Sequence, residues 1–362
     1  MSTINVDIVN PQSGTVLTAN GIEIVNPLVN NTIIGDNAGQ SIVGGINPQM
    51  GTLNTVVGVN AMQLSTVGIA ATAVGYDAYK AGDGVNDVAI GRSALAAING
   101  VSYGNTAVGT FALGNLNTAT QGNSGLGLAA GDQLLSGDFN TFIGYSSGSQ
   151  FNSGNNNTAL GSRTTGVGTG GSGNNNVWLG TNACLNYGGG DSNVIIGAYD
   201  AANPYFNLQT GSNNIVIGRN ATKASDTASN SITLGNSSNN VLRCAVTTIT
   251  SLSDARDKKE IEELPVGLEF VEKLKPVKFT WDDRNEEGKH DIEDFGFIAQ
   301  DLKASQEEAN ASYLGLVYEE NPEKLEASYG KLLPVLVKAI QELSSEVKSL
   351  KEELETLKAN NK

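Results

Sequence analysis

A five-residue pattern recurs twelve times between residues 31 and 235: Asn or a similar residue, then a small or β-branched residue, two apolar residues and Gly. Typical copies are 105–109, 140–144 and 193–197. From Gly58 onward the pattern ends at Gly75, Gly91, Gly109, Gly127, Gly144, Gly161, Gly180, Gly197, Gly218 and Gly235. A sustained period of roughly 17 residues indicates a repeat architecture in which each copy forms one layer.

Each copy predicts a strand of about three residues between two turns. The Asn suits a left-handed or Asx-turn conformation, and the Gly suits a positive φ or a close backbone approach. A weaker second strand is predicted after many copies, for example at 93–96 and 110–113. Two short strands per copy predict one coil of a parallel β-roll or β-solenoid. Twelve coils spaced about 4.8 Å apart would form a rod of roughly 55–60 Å.

Composition supports a solenoid over one large globular core, because the chain has 44 glycines and only 6% aromatic residues. Disorder rich in Gly and Asn is the alternative for this region, and the regular apolar triplets argue against it. Residues 1–28 lack the repeat and contain Pro11 and Pro27, so we expect an attachment segment or a first capping layer there.

Several function classes are disfavoured by composition. A net charge of −15 disfavours nucleic-acid binding through phosphate contacts. The start of the chain does not read as a secretory signal, and the lack of a long apolar run predicts no membrane insertion. Cys184 and Cys244 lie far apart in the sequence without metal-ligand spacing, so we expect buried free thiols, no metal and no cofactor.

The composition changes abruptly near residue 253. Residues 1–252 contain 6 of the 22 basic and 11 of the 37 acidic residues, and 253–362 contains the rest. A nearly uncharged repeat therefore ends where a charged domain begins. At this boundary Ser253 lies five positions before Lys258, and this is the one pair in the chain that looks catalytic.

Four sequence blocks between about 250 and 345 resemble the C-terminal intramolecular chaperone domain of phage tailspikes and tail fibres, first described on endosialidases. They are the S-D-x-R-x-K opening at 253–258, LKPVKFTW at 274–281, GFIAQDL at 296–302 and YGKLLPVLVKAIQEL at 329–343. The resemblance implies a domain that trimerises, helps a β-rich fibre to fold and then cuts itself off with a Ser/Lys pair. It assigns the catalytic roles to Ser253 and Lys258.

The chemistry of such a pair needs a lysine that has lost its proton. Burial lowers the pKa of lysine, and the neutral amine can then accept the proton of the serine hydroxyl. The Ser253 hydroxyl can reach the carbonyl of Leu252 through a five-membered ring, which points to the Leu252–Ser253 bond. If another group attacks, the Ser253–Asp254 bond is the one cut. The simpler alternative is that Ser253 and Asp254 only cap a helix.

The last segment predicts a coiled coil. Leu333, Ile340, Val347 and Leu354 fall at heptad position a, and Leu336, Leu343, Leu350 and Leu357 fall at d. The alternative is an amphipathic helix packed on its own domain. Upstream, the pattern predicts a helix at 266–274, a strand at 277–281, a charged loop at 282–293, a strand from 295 and a helix at 299–303.

Other enzyme signals are weak. The single histidine, His290, falls in the predicted charged loop without a Ser or Cys partner. The acidic residues of the repeats are explained by turn formation: Asp36, Asp77, Asp83, Asp87, Asp132, Asp138 and Asp191. The sequence does not decide whether two of these carboxylates form a glycosidase pair on one face of a coil.

We therefore expect four segments: an attachment or capping segment (1–28), a trimeric β-roll (29–250, here called the shaft), a chaperone and autoprotease domain (253–332) and a trimeric coiled coil (333–362). The shaft repeat also resembles the head repeats of trimeric autotransporter adhesins, with a longer period. Together these features predict a phage-like homotrimeric fibre or spike, carried on the virion and made in the host cytoplasm. It would bind a host-surface receptor or glycan and, through its N-terminus, other virion proteins. A polysaccharide-degrading tailspike and a bacterial trimeric surface adhesin are the alternatives.

Overall fold

The computed structural model describes residues 16–19, 22–25, 31–42, 51–117, 119–165, 171–185, 188–199, 210–221, 223, 225, 227–236, 238–239, 241–245, 249–284 and 289–361. Two compact units divide the chain, Met1–Asn236 and Ser237–Lys362. The chain is mainly β: a parallel β-solenoid is followed by a small mixed domain and a C-terminal helix. The predicted fold class is confirmed at this level.

One fourteen-stranded sheet runs through the first unit. It begins with two antiparallel strands, β1 (Val16–Ala19) and β2 (Ile22–Val25), and β2 pairs antiparallel with β3. Twelve three-residue strands then pair in parallel, one from each repeat. They are β3 (Thr32–Ile34), β4 (Thr55–Val57), β5 (Thr72–Val74), β6 (Val88–Ile90), β7 (Thr106–Val108), β8 (Ser124–Leu126), β9 (Thr141–Ile143), β11 (Thr158–Leu160), β13 (Val177–Leu179), β14 (Val194–Ile196), β15 (Ile215–Ile217) and β16 (Ile232–Leu234).

The middle residue of these strands faces a narrow core, because successive side chains of a strand point to opposite sides. It is small in several coils, such as Ala89 and Ala107, and large in others, such as Phe142 and Trp178. Phe151 lies between Phe142 and Trp178, with ring centroids 5.9 and 5.7 Å away. The core is therefore narrow, and each coil contributes only a few side chains to it.

The predicted second strands at 93–96 and 110–113 are wrong. These segments are turns in which every second residue is left-handed, as at Ser93 (φ 55°) and Leu95 (φ 48°). They still stack from coil to coil, because the Leu95 amide donates to the Ala112 carbonyl at 3.1 Å. A second line of pairing lies elsewhere, in β10 (Phe151–Ser153), β12 (Gly171–Ser172) and the bridges from Ile69 to Gln121.

The repeat glycines stack in register along one edge of the sheet, as a solenoid with one glycine in each coil requires. Gly109 has φ 136°, and a Cβ placed on it would lie 2.3 Å from the carbonyl oxygen of Gly127. Gly127, Gly144 and Gly161 repeat this contact, each with the next glycine. The glycine therefore serves both purposes foreseen in the sequence, a positive φ and a close backbone approach.

The repeat asparagines form a buried ladder, an arrangement that the sequence did not predict. From Asn105 to Asn193, each Asn side-chain oxygen accepts from the backbone and side-chain nitrogens of the next Asn, as Asn140 does from Asn157 at 3.0 and 2.9 Å. The Asn157 side-chain amide also donates to the Gly173 carbonyl at 2.9 Å. The left-handed residue is the one before it, Asn156 (φ 58°). Ladder formation therefore replaces the expected left-handed or Asx-turn role of the repeat Asn.

The ladder departs from Asn at three rungs. In the last coil Ser231 takes the Asn place, where its backbone nitrogen and hydroxyl donate to the Asn214 side-chain oxygen. The other two departures lie in consecutive coils. Ala71 occupies the Asn position and cannot offer a side-chain oxygen, and the next coil carries Asp87 there. The buried Asp87 carboxylate accepts from the Asn105 backbone nitrogen at 2.6 Å and from the hydroxyls of Tyr79 and Ser102. A carboxylate suits this rung because it needs no acceptor of its own.

The described residues of the second unit form three helices and two hairpins. Their bounds are α1 (Leu268–Lys273), β17 (Pro276–Asp282), β18 (His290–Phe297), α2 (Ala299–Glu308), β19 (Val317–Tyr318), β20 (Glu326–Ala327) and α3 (Leu332–Asn360), with 3-10 turns at Ala255–Asp257, Ser312–Leu314 and Tyr329–Lys331. The predicted helices and strands are present. The predicted loop at 282–293 is wrong at its end, because residues 290–293 already pair with β17. Cross-strand contacts such as Lys278 to Glu293 at 2.8 Å extend the hairpin into this charged stretch.

Helix α3 has two different faces. Leu332, Val335 and Ala339 are buried in this unit, the first two in a small core with Phe270 and Leu302. All eight predicted a and d residues are instead exposed, from 40% at Leu336 to 66% at Ile340. The heptad ridge therefore does not pack on its own domain. Among the described residues no helix is long and apolar enough to span a membrane.

Candidate active site

A single 3-10 turn, Ala255–Asp257, brings the two ends of the S-D-x-R-x-K segment together. Asp254 caps this turn, since its carboxylate accepts from the Arg256 backbone nitrogen at 2.9 Å. The Arg256 side chain closes back onto the same carboxylate, with Nη2 2.6 Å from Oδ2 and Nε 3.0 Å from Oδ1. The helix-cap alternative therefore describes Asp254 correctly, and it leaves the Ser253 hydroxyl available.

Ser253 and Lys258 are in direct contact across the turn. Lys258 Nζ lies 2.5 Å from Ser253 Oγ and 3.2 Å from the Ser253 carbonyl oxygen. Ser253 directly precedes the capping Asp254 and Lys258 directly follows the turn, which explains why a spacing of five suits them. The lysine is thus placed where a base for the serine hydroxyl has to be.

The site is open to water in the single chain. Ser253, Asp254 and Lys258 are exposed, and Leu252 is fully exposed at 100%. The hydrogen bonds from the Arg256 side chain and backbone lower the pKa of Asp254, and the Asp254 side chain raises the pKa of Arg256. This ion pair keeps its charges and maintains the turn. A covering surface is still required before Lys258 can be desolvated.

The segment that follows the site, residues 263–268, is held to α3 by side-chain contacts. Lys338 lies 3.3 Å from Glu263, and Glu342 accepts from the Leu268 backbone nitrogen at 2.7 Å, which caps α1. A Cβ on Gly267 would lie 2.1 Å from the same Glu342 oxygen, so a side chain there would displace this cap. These anchors were not foreseen, because nothing in the heptad pattern marks Glu342 as a cap for a helix 74 residues earlier.

The other predicted residues do not assemble into a site. His290 begins β18, with Nδ1 3.3 Å from Asp282 Oδ1. Several shaft carboxylates accept backbone amides of a neighbouring coil, Asp83 from Thr66 at 2.6 Å and Asp138 from Gln121 at 2.8 Å. In the described part of the chain, no group of three His, Cys, Asp or Glu side chains could hold a metal ion.

Both cysteines are free, and only one is buried. Cys184 lies in the shaft core, where burial raises its pKa, whereas Cys244 is exposed. The expectation of two buried thiols is therefore wrong for Cys244, which follows the last shaft strand.

Comparison with known proteins identifies one region. Residues 253–310 match the family model described as the chaperone of endosialidase. The match begins at Ser253 and includes the capped turn, α1, the β17–β18 hairpin and α2. The fourth resembling block, at 329–343, lies beyond it. No curated protein and no solved structure matches the chain.

Proposed function

We propose that this chain is a homotrimeric, phage-like fibre or spike protein whose C-terminal domain is an intramolecular chaperone that is removed by self-cleavage near Ser253. In this proposal residues 253–362 bring three chains together, the shaft folds on that assembly, and the finished fibre binds a receptor or glycan on a host surface. Its place on the virion follows from the tail-fibre resemblance.

The observation that carries the proposal is the exposed heptad ridge of α3 after a matched chaperone domain. Eight Leu, Ile and Val side chains remain uncovered over more than three heptads. Burying a side chain of this size contributes about 1.5–3 kcal/mol, so a parallel bundle of such helices would be strongly favoured. The family match adds a chaperone-type domain before this helix in the chain.

The contact between Lys258 and Ser253 supports the cleavage step. Lys258 takes the proton from Ser253 Oγ, and the oxygen attacks the Leu252 carbonyl carbon. The Oγ–C bond forms, the Leu252–Ser253 C–N bond breaks, and the proton passes to the released amine. Water then hydrolyses the ester and leaves a second chain beginning with Ser253. Cutting at Ser253–Asp254 requires a different attacking group.

The proposal is tested by the mass of the purified chains. The unmodified protein should release a C-terminal fragment that spans residues 253–362. Ser253→Ala and Lys258→Ala should each remain full length at 37.5 kDa. Lys258→Arg should also stay uncut, because a guanidinium does not act as a base at neutral pH.

Arg256→Lys is the matched control, since it keeps the charge beside Asp254 and leaves the Ser/Lys pair intact. It should slow cleavage without abolishing it. The fragment mass also identifies the bond, because fragments starting at Ser253 and at Asp254 differ by one serine. Efficient cleavage of the Lys258→Ala protein would eliminate the proposed base.

A further inference from the structure

The outward face of the shaft sheet carries an unbroken apolar line. The third residue of each of the twelve parallel strands is Ile, Leu or Val, and none of the twelve is buried. Leu126 is 49% exposed, Leu160 43% and Leu234 56%. We call these twelve positions the third-position stripe. At about 4.8 Å per rung it is roughly 50 Å long.

This stripe departs from what an isolated solenoid needs. A sheet with one face on the core normally alternates apolar residues inside with polar residues outside. Here the first strand position follows that rule in seven coils, where it is Thr or Ser, and the third position never does. Contiguous apolar surface of this extent marks an interaction surface.

The apolar face becomes wider toward the C-terminal end of the shaft. In the last four coils the first position is also aliphatic, with Val177, Val194, Ile215 and Ile232. The uncovered face is therefore widest in the coils that precede the chaperone domain along the chain.

We propose that the third-position stripe is the seam along which copies of this chain pack, parallel and in register. The inference rests on the proposed homotrimer and deepens it, because it assigns the shaft a contact surface of its own. A second copy fits the stripe for two reasons. An equivalent solenoid repeats an aliphatic side chain at the same spacing, and neither outward strand position carries a charge that would make identical faces repel.

The geometry of the C-terminal unit points to the same occupant. The α3 ridge is uncovered in the single chain as well, and the coiled coil predicted for it would hold the copies parallel. In parallel copies that are in register, equivalent coils lie side by side, so each stripe residue contacts the same residue of another copy. An antiparallel copy would oppose the wide end of one face to the narrow end of the other.

The test measures whether the stripe is covered in the full-length protein. Leu126→Cys introduces a thiol on the stripe, and Gln133→Cys introduces one at an exposed turn residue of the same coil. Both are made with Cys244→Ser, because Cys244 is the exposed native thiol. Maleimide labelling rates are compared in the native protein and in denaturant, and light scattering gives the oligomeric mass.

We expect a trimer in which the thiol at position 126 is labelled at least tenfold more slowly than the thiol at 133, with equal rates in denaturant. Leu160→Cys repeats the measurement two coils further on and provides an independent site if one variant fails to fold. Equal native rates in a trimer would overturn the seam and leave the proposed function standing. Equal rates in a monomer would overturn both. Slow labelling in a monomer would mean that the chain covers its own stripe, which also overturns the seam.

Discussion

The shaft and the C-terminal unit are held together by contacts of different kinds. In the shaft, each Asn rung bonds a residue 17 to 21 positions away in most coils, and each coil meets only its neighbours. In the C-terminal unit, eight buried apolar residues from the helices and the segments between them converge on one core. Stacked repeats gain stability one interface at a time, whereas a compact core forms as a unit.

Backbone conformation separates the two regions further. Of the 26 non-glycine residues with positive φ in the described chain, 23 lie in the shaft, including bulky residues such as Phe111 and Leu113. A left-handed residue with a bulky or β-carbon-bearing apolar side chain costs roughly 1–2 kcal/mol, and Asn costs less. This cost is offset only once adjacent coils form their hydrogen bonds. The first coils are therefore the difficult ones to form, and this is the step that a chaperone domain would assist.

Removal of the C-terminal unit should have the largest effect on folding and assembly. A chain ending at Thr250 should give monomers or aggregates, because it retains the unfavourable first coils and loses the assembly domain. The same shaft released by cleavage after folding should remain an SDS-resistant trimer. Gel electrophoresis without heating compares the two. A soluble, SDS-resistant trimer from the truncated chain would show that the shaft folds and assembles without the C-terminal unit.

Gly109→Ala tests the close approach between coils. The added Cβ would lie 2.3 Å from the Gly127 carbonyl oxygen at φ 136°, so we expect about 3 kcal/mol or more of destabilisation. Gly100→Ala is the control, because Gly100 has φ 112° and no atom within 4 Å of the new Cβ. It should cost only the backbone strain, about 1–2 kcal/mol. Equal thermal shifts would show that backbone strain, not stacking, fixes these glycines.

Asn157→Ala tests the buried ladder. It removes the acceptor for two Asn176 nitrogens and the donor to Gly173, so we expect a loss of about 2–4 kcal/mol. Asn156→Ala changes the exposed, left-handed neighbour and should cost about 1 kcal/mol or less. Chemical denaturation of both variants measures the difference. A negligible effect at position 157 would mean that any coil tolerates the loss of its ladder Asn side chain, as the coil with Ala71 does.

Asp132→Asn should produce the smallest effect. Burial raises the pKa of Asp132, and its Oδ1 is buried without a hydrogen-bond partner. The protonated form is thus favoured on folding, so this contribution to stability is complete below the ordinary pKa of 3.8 and is lost as the pH rises through the raised value. At pH 7 the Asn variant should melt higher by on the order of 1 °C, with no gain near pH 3. An equal shift in melting temperature at both pH values would show that the charge of the carboxylate is not its cause.

The repeat glycines and apolar triplets were sufficient to predict the solenoid, since their period fixes both the layers and the buried position. The Asn ladder was not predictable in the same way, because Asn is equally common in turns and only the stacked geometry brings its amide groups together. The left-handed turns at Ser93 and Leu95 are hard to tell from strands, because a buried Leu between small residues resembles a strand pattern.

At the candidate site, the contact between Ser253 and Lys258 follows from their spacing and the capping Asp254. The anchoring by Glu342 depends on contacts between distant helices and leaves no local sequence signal. The heptad pattern did predict that the a and d residues would not pack on their own domain. It did not reveal the second apolar face of Leu332, Val335 and Ala339, which depends on tertiary structure.

The antiparallel hairpin β1–β2 at the start of the sheet has a consequence for polymerisation. A stack of identical parallel coils would offer unpaired strand edges at both ends and could grow by adding the end of another molecule. At the N-terminal end of the described sheet, β3 is already paired with β2, and β2 with β1. Neither hairpin strand contains the Asn or the Gly that join successive coils, so a further coil arriving there would find no ladder and no glycine contact to extend. The hairpin therefore terminates the stack at one end and disfavours end-to-end fibril formation.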